Sequence, residues 1–165
     1  MAVHIVLFEP EIPQNTGNIA RTCAAIGATL HLVHPLGFSL DEKRVRRAGL
    51  DYWKDVVIKE YESITVFMKE HGSSNLWFYT TKSETLFTEA KYEEDSYLVF
   101  GKESRGIEES ILVDYPSRCV RIPMLENRRS LNLSNSVAIA AYEWERQFNY
   151  PSLLQKGALH RLTWN

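Results

Sequence analysis

The spacing of apolar positions changes along the chain between a strand-like and a helix-like period. Each change marks a boundary between two predicted elements. Short runs rich in β-branched and aromatic residues predict strands at 4–8, 29–34, 56–61, 76–81, 96–100 and 118–122. Apolar residues at helical spacing predict helices at 17–26, 63–71, 108–114 and 134–148, with a further basic candidate at 41–48. This order predicts an α/β fold, a single doubly wound domain with a largely parallel sheet and helices on both faces.

The predicted sheet also indicates where chemistry is expected. In open α/β sheets, ligands bind beyond the carboxyl ends of the strands, so the loops that follow residues 8, 81, 100 and 122 are the candidates. A length of 165 residues with 44% hydrophobic content fits one domain. We expect its body at 1–150 and a C-terminal tail at 151–165 that docks loosely, covers a partner or frays.

Charge and cysteine content narrow the class of protein. A formal net charge of -2 gives no global nucleic-acid signature, so RNA contacts would depend on local basic patches. Cys23 and Cys119 form no C-x-x-C pair, which favours a reducing compartment and ordinary buried thiols. The chain begins without a signal-peptide pattern, and no apolar run is long enough to span a bilayer. We therefore expect a cytoplasmic protein with no membrane partner.

The segment at 121–144, RIPMLENRRSLNLSNSVAIAAYEW, concentrates polar residues between a strand and a helix. It places Asn132, Ser134 and Asn135 near a helix N-terminus, where free N–H groups and the helix dipole favour ligands with partial negative charge. Ser and Asn are also preferred N-cap residues, so capping and ligand binding both remain open. Arg128 and Arg129 beside this loop favour a site.

The loop and helix after the first strand, EPEIPQNTGNIART, form a second polar group. Asn15 or Thr16 could cap the helix, and Gly17 could serve the turn. Arg21 would point toward the same end of the sheet from an early helical turn. The helix dipole disfavours a cation there, so we weigh a functional role for Arg21 against the ordinary surface role.

A third group, LVFGKESRGI at 98–107, contains a Gly-Lys pair that invites comparison with a phosphate-binding P-loop. That motif needs a glycine five residues before Gly101 and Ser or Thr after the lysine, but the chain has Ser96 and Glu103 there. No G-x-G-x-x-G follows a predicted strand either. These findings exclude both nucleotide motifs, and Gly101 and Gly106 instead predict a tight loop whose backbone approaches a ligand closely.

Metal and thiol catalysis are not favoured by the spacing of the candidate residues. His31 and His34 lie three apart on a predicted strand, so they face opposite sides and cannot share a metal. Cys23 has no base near it in sequence. We expect no metal.

Basic residues cluster in DEKRVRRAGLDYWK, with aromatic residues interleaved. A charged short helix is most often a solvated face, but mixed cations and aromatics also suit a single-stranded RNA loop. Spacing alone leaves both interpretations open. The candidate RNA-binding residues are Lys43, Arg44, Arg46, Arg47, Arg128 and Arg129.

Together, NTGNIAR at 15–21, FGKESRG at 100–106 and RIPM…RSLNLSNSVAIAAYE at 121–143 resemble the three motifs of the SPOUT superfamily of RNA 2′-O-methyltransferases. The chain is most similar to the small tRNA (cytidine/uridine-34) 2′-O-methyltransferase family. The resemblance implies a C-terminal trefoil knot and a homodimer. It also implies a substrate, the tRNA anticodon arm, and S-adenosylmethionine as cofactor, with S-adenosylhomocysteine as product. The implied cofactor-binding residues are Tyr79, Thr80, Gly101, Ile122, Met124, Ser130, Leu131 and Asn132.

The resemblance also implies catalytic roles. Arg21 matches the catalytic arginine and would reach the cofactor of the other protomer, while Tyr142, Asn15 and Glu103 match polar positions linked to activity. A guanidinium is effectively always protonated, so we expect Arg21 to stabilise a developing alkoxide or a phosphate instead of acting as the base. Tyr142 could instead be a dimer-interface residue. Methylation of another RNA, such as rRNA, and a non-catalytic RNA-binding module are the alternative functions.

Overall fold

One sheet of six parallel strands runs through the molecule. The computed structural model describes residues 2–40 and 51–164. Neighbouring strands pair in the order β3-β2-β1-β5-β4-β6, and each pair is parallel. The predicted parallel sheet is therefore confirmed. Its strands are β1 (His4–Phe8), β2 (Thr29–Val33), β3 (Ile58–Tyr61), β4 (Leu76–Tyr79), β5 (Tyr97–Phe100) and β6 (Cys119–Val120).

Helices cover both faces of this sheet, as the sequence predicts. The α-helices in the described residues are α1 (Pro13–Ile26), α2 (Ile64–His71), α3 (Glu109–Leu112) and α4 (Leu133–Gln147), with short 3-10 turns at Asp51–Asp55 and Pro116–Arg118. Apolar residues of α1 and α4 belong to the core on one face, and those of α2 and α3 to the core on the other. The basic helix predicted at 41–48 lies outside the described residues.

The two cores follow from the period of two along each strand. In β1, Ile5 and Leu7 join the core beneath α1 and α4, while Val6 and Phe8 join the other core. Successive side chains of a strand point to opposite faces, so a fully buried strand needs apolar residues at every position. The continuous apolar run in β1 therefore indicates a central strand that is covered on both faces.

Several predicted boundaries are wrong, and helix α1 is the most instructive. The sequence predicts its start at Gly17, but the helix begins at Pro13. Proline suits the first helical position because its fixed φ is helical and its missing N–H would have no intrahelical partner. The N-cap is Ile12, so neither Asn15 nor Thr16 caps this helix.

The last strand is also shorter than predicted. The sequence predicts residues 118–122, but β6 comprises Cys119 and Val120 alone, which pair with Phe78 and Tyr79 at the end of β4. Arg118 belongs to the preceding 3-10 turn. The pairing with β4 stops at Tyr79, where β4 itself ends, and Arg121 then forms an isolated parallel bridge with Leu86 before the chain enters the polar loop.

Both cysteines are buried, as the sequence predicts. Cys23 and Cys119 are buried free thiols, and burial raises the pKa of Cys23 to about 12, so it stays protonated.

In the tail, Leu153 packs partly on the core, whereas Leu154 and Trp164 are 92% and 76% exposed. Among the described residues, no helix combines the length and apolar character needed to cross a membrane.

Candidate functional site

The three polar loops meet at the carboxyl edge of the sheet, where they enclose a cavity of about 580 Å³. This convergence follows from strand order, because β1 neighbours β5, β5 neighbours β4, and β4 neighbours β6. The cavity is lined by Ile12, Asn15, Tyr79, Thr80, Thr81, Lys82, Phe100, Gly101, Lys102, Glu103, Ser104, Arg105, Gly106, Ile107, Ile122, Met124, Arg129, Ser130, Leu131, Asn132, Leu133 and Ser136. Its volume lies within the range of about 300–1,000 Å³ that small-molecule sites occupy.

The structure brings together most of the residues that the sequence singles out for a ligand. All eight candidate cofactor-binding residues line the cavity, and so do Asn15 and Glu103. Arg129 lines it too, while Arg128 borders an adjoining open recess that shares Met124, Ser130 and Leu131 with the cavity. The remaining basic candidates, Lys43, Arg44, Arg46 and Arg47, lie outside the described residues.

The other two catalytic candidates, Arg21 and Tyr142, do not line the cavity. Arg21 lies on α1, eight positions after Pro13 and two turns into the helix instead of one, and it is exposed. Tyr142 lies on α4 and is 47% exposed, three positions after Ile139, which is 39% exposed. Because residues three apart share a helix face, Ile139 and Tyr142 form an exposed apolar face on α4.

Gly101 allows the loop after β5 to fold back onto itself. A Cβ at this position would meet the carbonyl carbon of Gly106 at 2.0 Å and the backbone nitrogen of Ile107 at 2.3 Å. The Gly106 N–H donates to the Lys102 carbonyl at 2.8 Å, which closes the turn, and Gly106 itself has a φ of 69°. Only glycine fits position 101, so the predicted tight loop is confirmed.

Glu103 in this loop caps helix α1 from another part of the chain. Its Oε2 accepts from the Glu11 N–H at 2.8 Å, and its Oε1 accepts from the Ile12 N–H at 3.2 Å and from Asn15 Nδ2 at 3.0 Å. The N-cap Ile12 has no side-chain oxygen, so Glu103 supplies the negative charge that a helix N-terminus favours.

Asn132 caps helix α4 and connects it to α1. Its Oδ1 accepts from the Ser134 N–H at 2.9 Å and the Asn135 N–H at 3.4 Å, and its Nδ2 donates to Asn15 Oδ1 at 2.9 Å. Of the three candidates for the cap, it is therefore Asn132, and not Ser134 or Asn135, that caps this helix. Asn132 does the capping and lines the cavity as well.

Two acidic residues before α1 bind the loop after β5, and neither is predicted from the sequence. Glu9 pairs with the Lys102 ammonium, and this hydrogen bond raises the pKa of Lys102. Glu11 accepts from the Ser104 N–H and hydroxyl, each at 2.9 Å, and those bonds lower its pKa. The loops after the adjacent parallel strands β1 and β5 carry complementary charges, in EPE at 9–11 and in KES at 102–104. This complementarity is the signal that could have revealed these contacts.

Two aromatic residues near the predicted sites are used by the core. The hydroxyl of Tyr79 is 2.6 Å from that of Tyr92, and the side chain is buried. Burial raises the pKa of Tyr79 well above its usual value, and Tyr79 also lines the cavity. Trp53, a candidate for base stacking, packs partly buried against the core.

The site provides a small-molecule cavity between the N-termini of two helices. Within residues 2–40 and 51–164, no three His, Cys, Asp or Glu side chains are grouped as metal ligands. Both oxygens of Glu103 accept hydrogen bonds from the protein. This arrangement offers a ligand an enclosed shape and a lining that includes Gly101, Ile122 and the cations Lys82 and Arg105.

Comparison with known proteins gives a consistent result. The family model described as the SpoU rRNA Methylase family matches residues 2–142. A tRNA (cytidine(34)-2′-O)-methyltransferase from Escherichia coli K12 is 44% identical over 150 residues, covering 90% of this chain and 96% of that protein. A solved structure concerned with 2-OH methylation of C/U34 on tRNA is 43% identical, with a TM-score of 0.84, covering 90% of this chain and 97% of that one.

A more distant structure shares the fold alone. The SpoU methyltransferase AviRb from Streptomyces viridochromogenes, solved in complex with its cofactor AdoMet, is 22% identical with a TM-score of 0.74. The match covers 93% of this chain and 59% of AviRb.

Proposed function

This chain belongs to the SpoU rRNA methylase family, and from that premise we propose that it methylates the ribose 2′-hydroxyl of cytidine or uridine at tRNA wobble position 34. The observation that carries the proposal is the identity over nearly the whole chain to a tRNA (cytidine(34)-2′-O)-methyltransferase. The rRNA named in the family description supports rRNA as the alternative substrate, so the experiment includes both.

The cavity fits S-adenosylmethionine as the methyl donor. When bound, this cofactor supplies an electrophilic methyl group on a sulfonium. The missing Cβ of Gly101 lets its loop pack against the backbone of Gly106 and Ile107, and Ile122, Met124, Ser130 and Leu131 line the same cavity. We propose that these residues hold the adenosine part, with Thr80 and Asn132 completing the wall. No metal is needed for this role.

The reaction requires the ribose hydroxyl to be aligned and its proton to be removed. We assign to Arg21 the stabilisation of the developing alkoxide or the neighbouring phosphate, since a guanidinium donates hydrogen bonds and keeps its charge. The position of Arg21 outside the cavity lining of its own chain supports the idea that it serves the cavity of a partner. Tyr142 would lie nearby on the same shared surface.

A homodimer is therefore part of the proposal. The exposed apolar face of Ile139 and Tyr142 on α4 supports an interface there, because exposed apolar residues on one helix face favour burial against a partner. We also propose the trefoil knot of the SPOUT fold for the segment from β6 to α4. The domain would extend over 1–150, with the tail at 151–165 outside it.

The tRNA anticodon arm is the proposed partner, bound near the opening of the cavity. Arg128 and Arg129 are exposed in the loop that borders the cavity, which suits contacts to phosphates that flank a target ribose. We propose the same role for the basic group at 43–47. A tRNA substrate also favours a cytoplasmic location.

Transfer of a labelled methyl group tests the proposal. The purified protein with labelled S-adenosylmethionine should methylate total tRNA, and rRNA should remain unlabelled under the same conditions. Labelling of rRNA alone would favour the alternative enzyme. Failure to bind the cofactor in calorimetry would favour a non-catalytic RNA-binding module and overturn the proposal.

A further inference from the structure

The hydrogen bonds at the site form one continuous chain, Glu103–Asn15–Asn132, that links all three polar loops. Asn15 Nδ2 donates to Glu103 Oε1, Asn132 Nδ2 donates to Asn15 Oδ1, and the N-terminal N–H groups of α4 donate to Asn132 Oδ1. Residues 15 and 103 are 88 positions apart in sequence, and residues 15 and 132 are 117 apart. The chain therefore ties together segments that only the fold brings near one another.

The direction of every bond in this chain is set by its carboxylate end. An ionised carboxylate can only accept hydrogen bonds, whereas a side-chain amide presents an acceptor on one side and donors on the other. Asn15 must turn its NH₂ group to Glu103, which turns its oxygen to Asn132. Asn132 must then turn its own NH₂ group to Asn15, which leaves its oxygen for the N–H groups of Ser134 and Asn135.

We propose that Glu103 is a positioning residue that orients the amides of Asn15 and Asn132 and holds the N-termini of α1 and α4 at the cavity wall. Its carboxylate is occupied by two backbone N–H groups and one amide, so it does not serve as an acid or base in the reaction. This inference rests on the proposed function for the choice of ligand.

The role can be tested by exchanging the two ends of the first bond. In Glu103→Gln, the new NH₂ group faces either the Glu11 N–H, or the Ile12 N–H and the Asn15 amide. Both orientations therefore place two hydrogen-bond donors against each other. In Asn15→Asp, two carboxylates would lie about 3.0 Å apart and repel one another. In the double variant E103Q/N15D, the new amide at position 103 donates to the new carboxylate at position 15. That carboxylate accepts from Asn132 and the cap of α4 is restored, so one mismatch remains, at the Ile12 N–H, whose bond of 3.2 Å is the longer one and now faces the amide NH₂ group.

Calorimetry with S-adenosylhomocysteine as the probe measures the effect. We expect each single variant to bind about tenfold more weakly or worse, because a mismatched hydrogen bond in a part-buried network costs about that factor. The double variant should return to within about threefold of the wild type. Glu62→Gln, in an exposed bend before α2, is the matched control and should bind as the wild type does.

Steady-state kinetics separate positioning from catalysis. The positioning role predicts that Glu103→Gln raises the KM for the cofactor and keeps the pH profile of kcat. Loss of one limb of that profile, or a double variant that binds normally but does not turn over, would identify Glu103 as an acid or base and overturn the inference. Unchanged affinity in both single variants would also overturn it. Absence of binding by the wild type would instead contradict the proposed function.

Discussion

Replacing Gly101 with alanine tests whether the loop after β5 forms a rigid wall of the cavity. The new Cβ would lie 2.0 Å from the carbonyl carbon of Gly106, and ordinary contact begins at 3.4 Å. One backbone segment must therefore move about 1.4 Å, because the opposing atoms belong to the main chain. A displacement of about 1 Å in a preorganised site can lower the rate of reaction about 10²-fold. We expect the affinity for S-adenosylhomocysteine to fall by about that factor.

The assay is titration calorimetry on the Gly101→Ala protein, with circular dichroism to check that the fold persists. Gly157→Ala is the matched control, because a Cβ at that tail position meets no atom within 4 Å, and its affinity should equal that of the wild type. A folded Gly101→Ala protein that binds within about twofold of the wild type would refute the assignment of this loop to the cofactor.

Three further predictions concern the reaction, the pH dependence of stability and the oligomer. Arg21→Ala should reduce labelled methyl transfer to tRNA at least about 100-fold without changing cofactor affinity. The tail variant Arg161→Ala is the control and should transfer methyl groups normally. Undiminished transfer in Arg21→Ala would show that Arg21 has no part in the mechanism. Burial lowers the pKa of His31 to about 3 from its usual 6.5, so the unfolded chain binds a proton first as the pH falls. Urea denaturation should show the free energy of unfolding decreasing below about pH 6.5, with His31 alone contributing up to about 1.4 kcal/mol per pH unit. An equal slope in a folded His31→Gln variant would contradict this assignment. Ile139→Asp should shift the mass in light scattering from dimer to monomer, whereas Val113→Asp, at a site 69% exposed, should not; a monomeric wild type at micromolar concentration would contradict the shared site.

The pH prediction depends on a hydrogen-bonded set of side chains on the face of the sheet opposite α1 and α4. His31 lies between His4, 3.0 Å away, and the Tyr61 hydroxyl, 2.9 Å away. The Tyr61 hydroxyl also lies 3.0 Å from His71. Burial lowers the pKa of His4 and His71 as well, so all three histidines change stability in the same direction as the pH falls.

The strands of the sheet could be predicted because each one is marked by the residue types within its own short segment. A strand such as β1 is recognised by five consecutive residues, of which Ile5 to Phe8 are apolar, and its burial on both faces follows from that run. The positions of the polar loops then follow from the rule that ligands bind at the carboxyl ends of parallel strands. The predicted start of α1 is wrong because it overlooks Pro13, a local signal for a first helical position. The residue that binds the start of the helix, Glu103, lies about 90 positions away in sequence.

The site could be predicted in composition but not in its hydrogen bonds. The sequence predicts Asn15, Glu103 and Asn132 near a ligand, and all three line the cavity. It could not show that they bond to one another, because side-chain hydrogen bonds across separations of 88 and 117 residues depend on the finished topology. For Arg21 the limit is different, because its proposed role in a partner's cavity depends on an assembly that a single chain does not contain.

Mapping 2′-O-methyl groups at nucleotide resolution tests the central claim most directly. Unmodified tRNA would be incubated with S-adenosylmethionine in the presence and absence of the protein, and every methylated ribose would be located. We predict a single new methyl group at position 34, on cytidine or uridine. Methylation at another position, or none in a preparation that binds the cofactor, would contradict the proposed function.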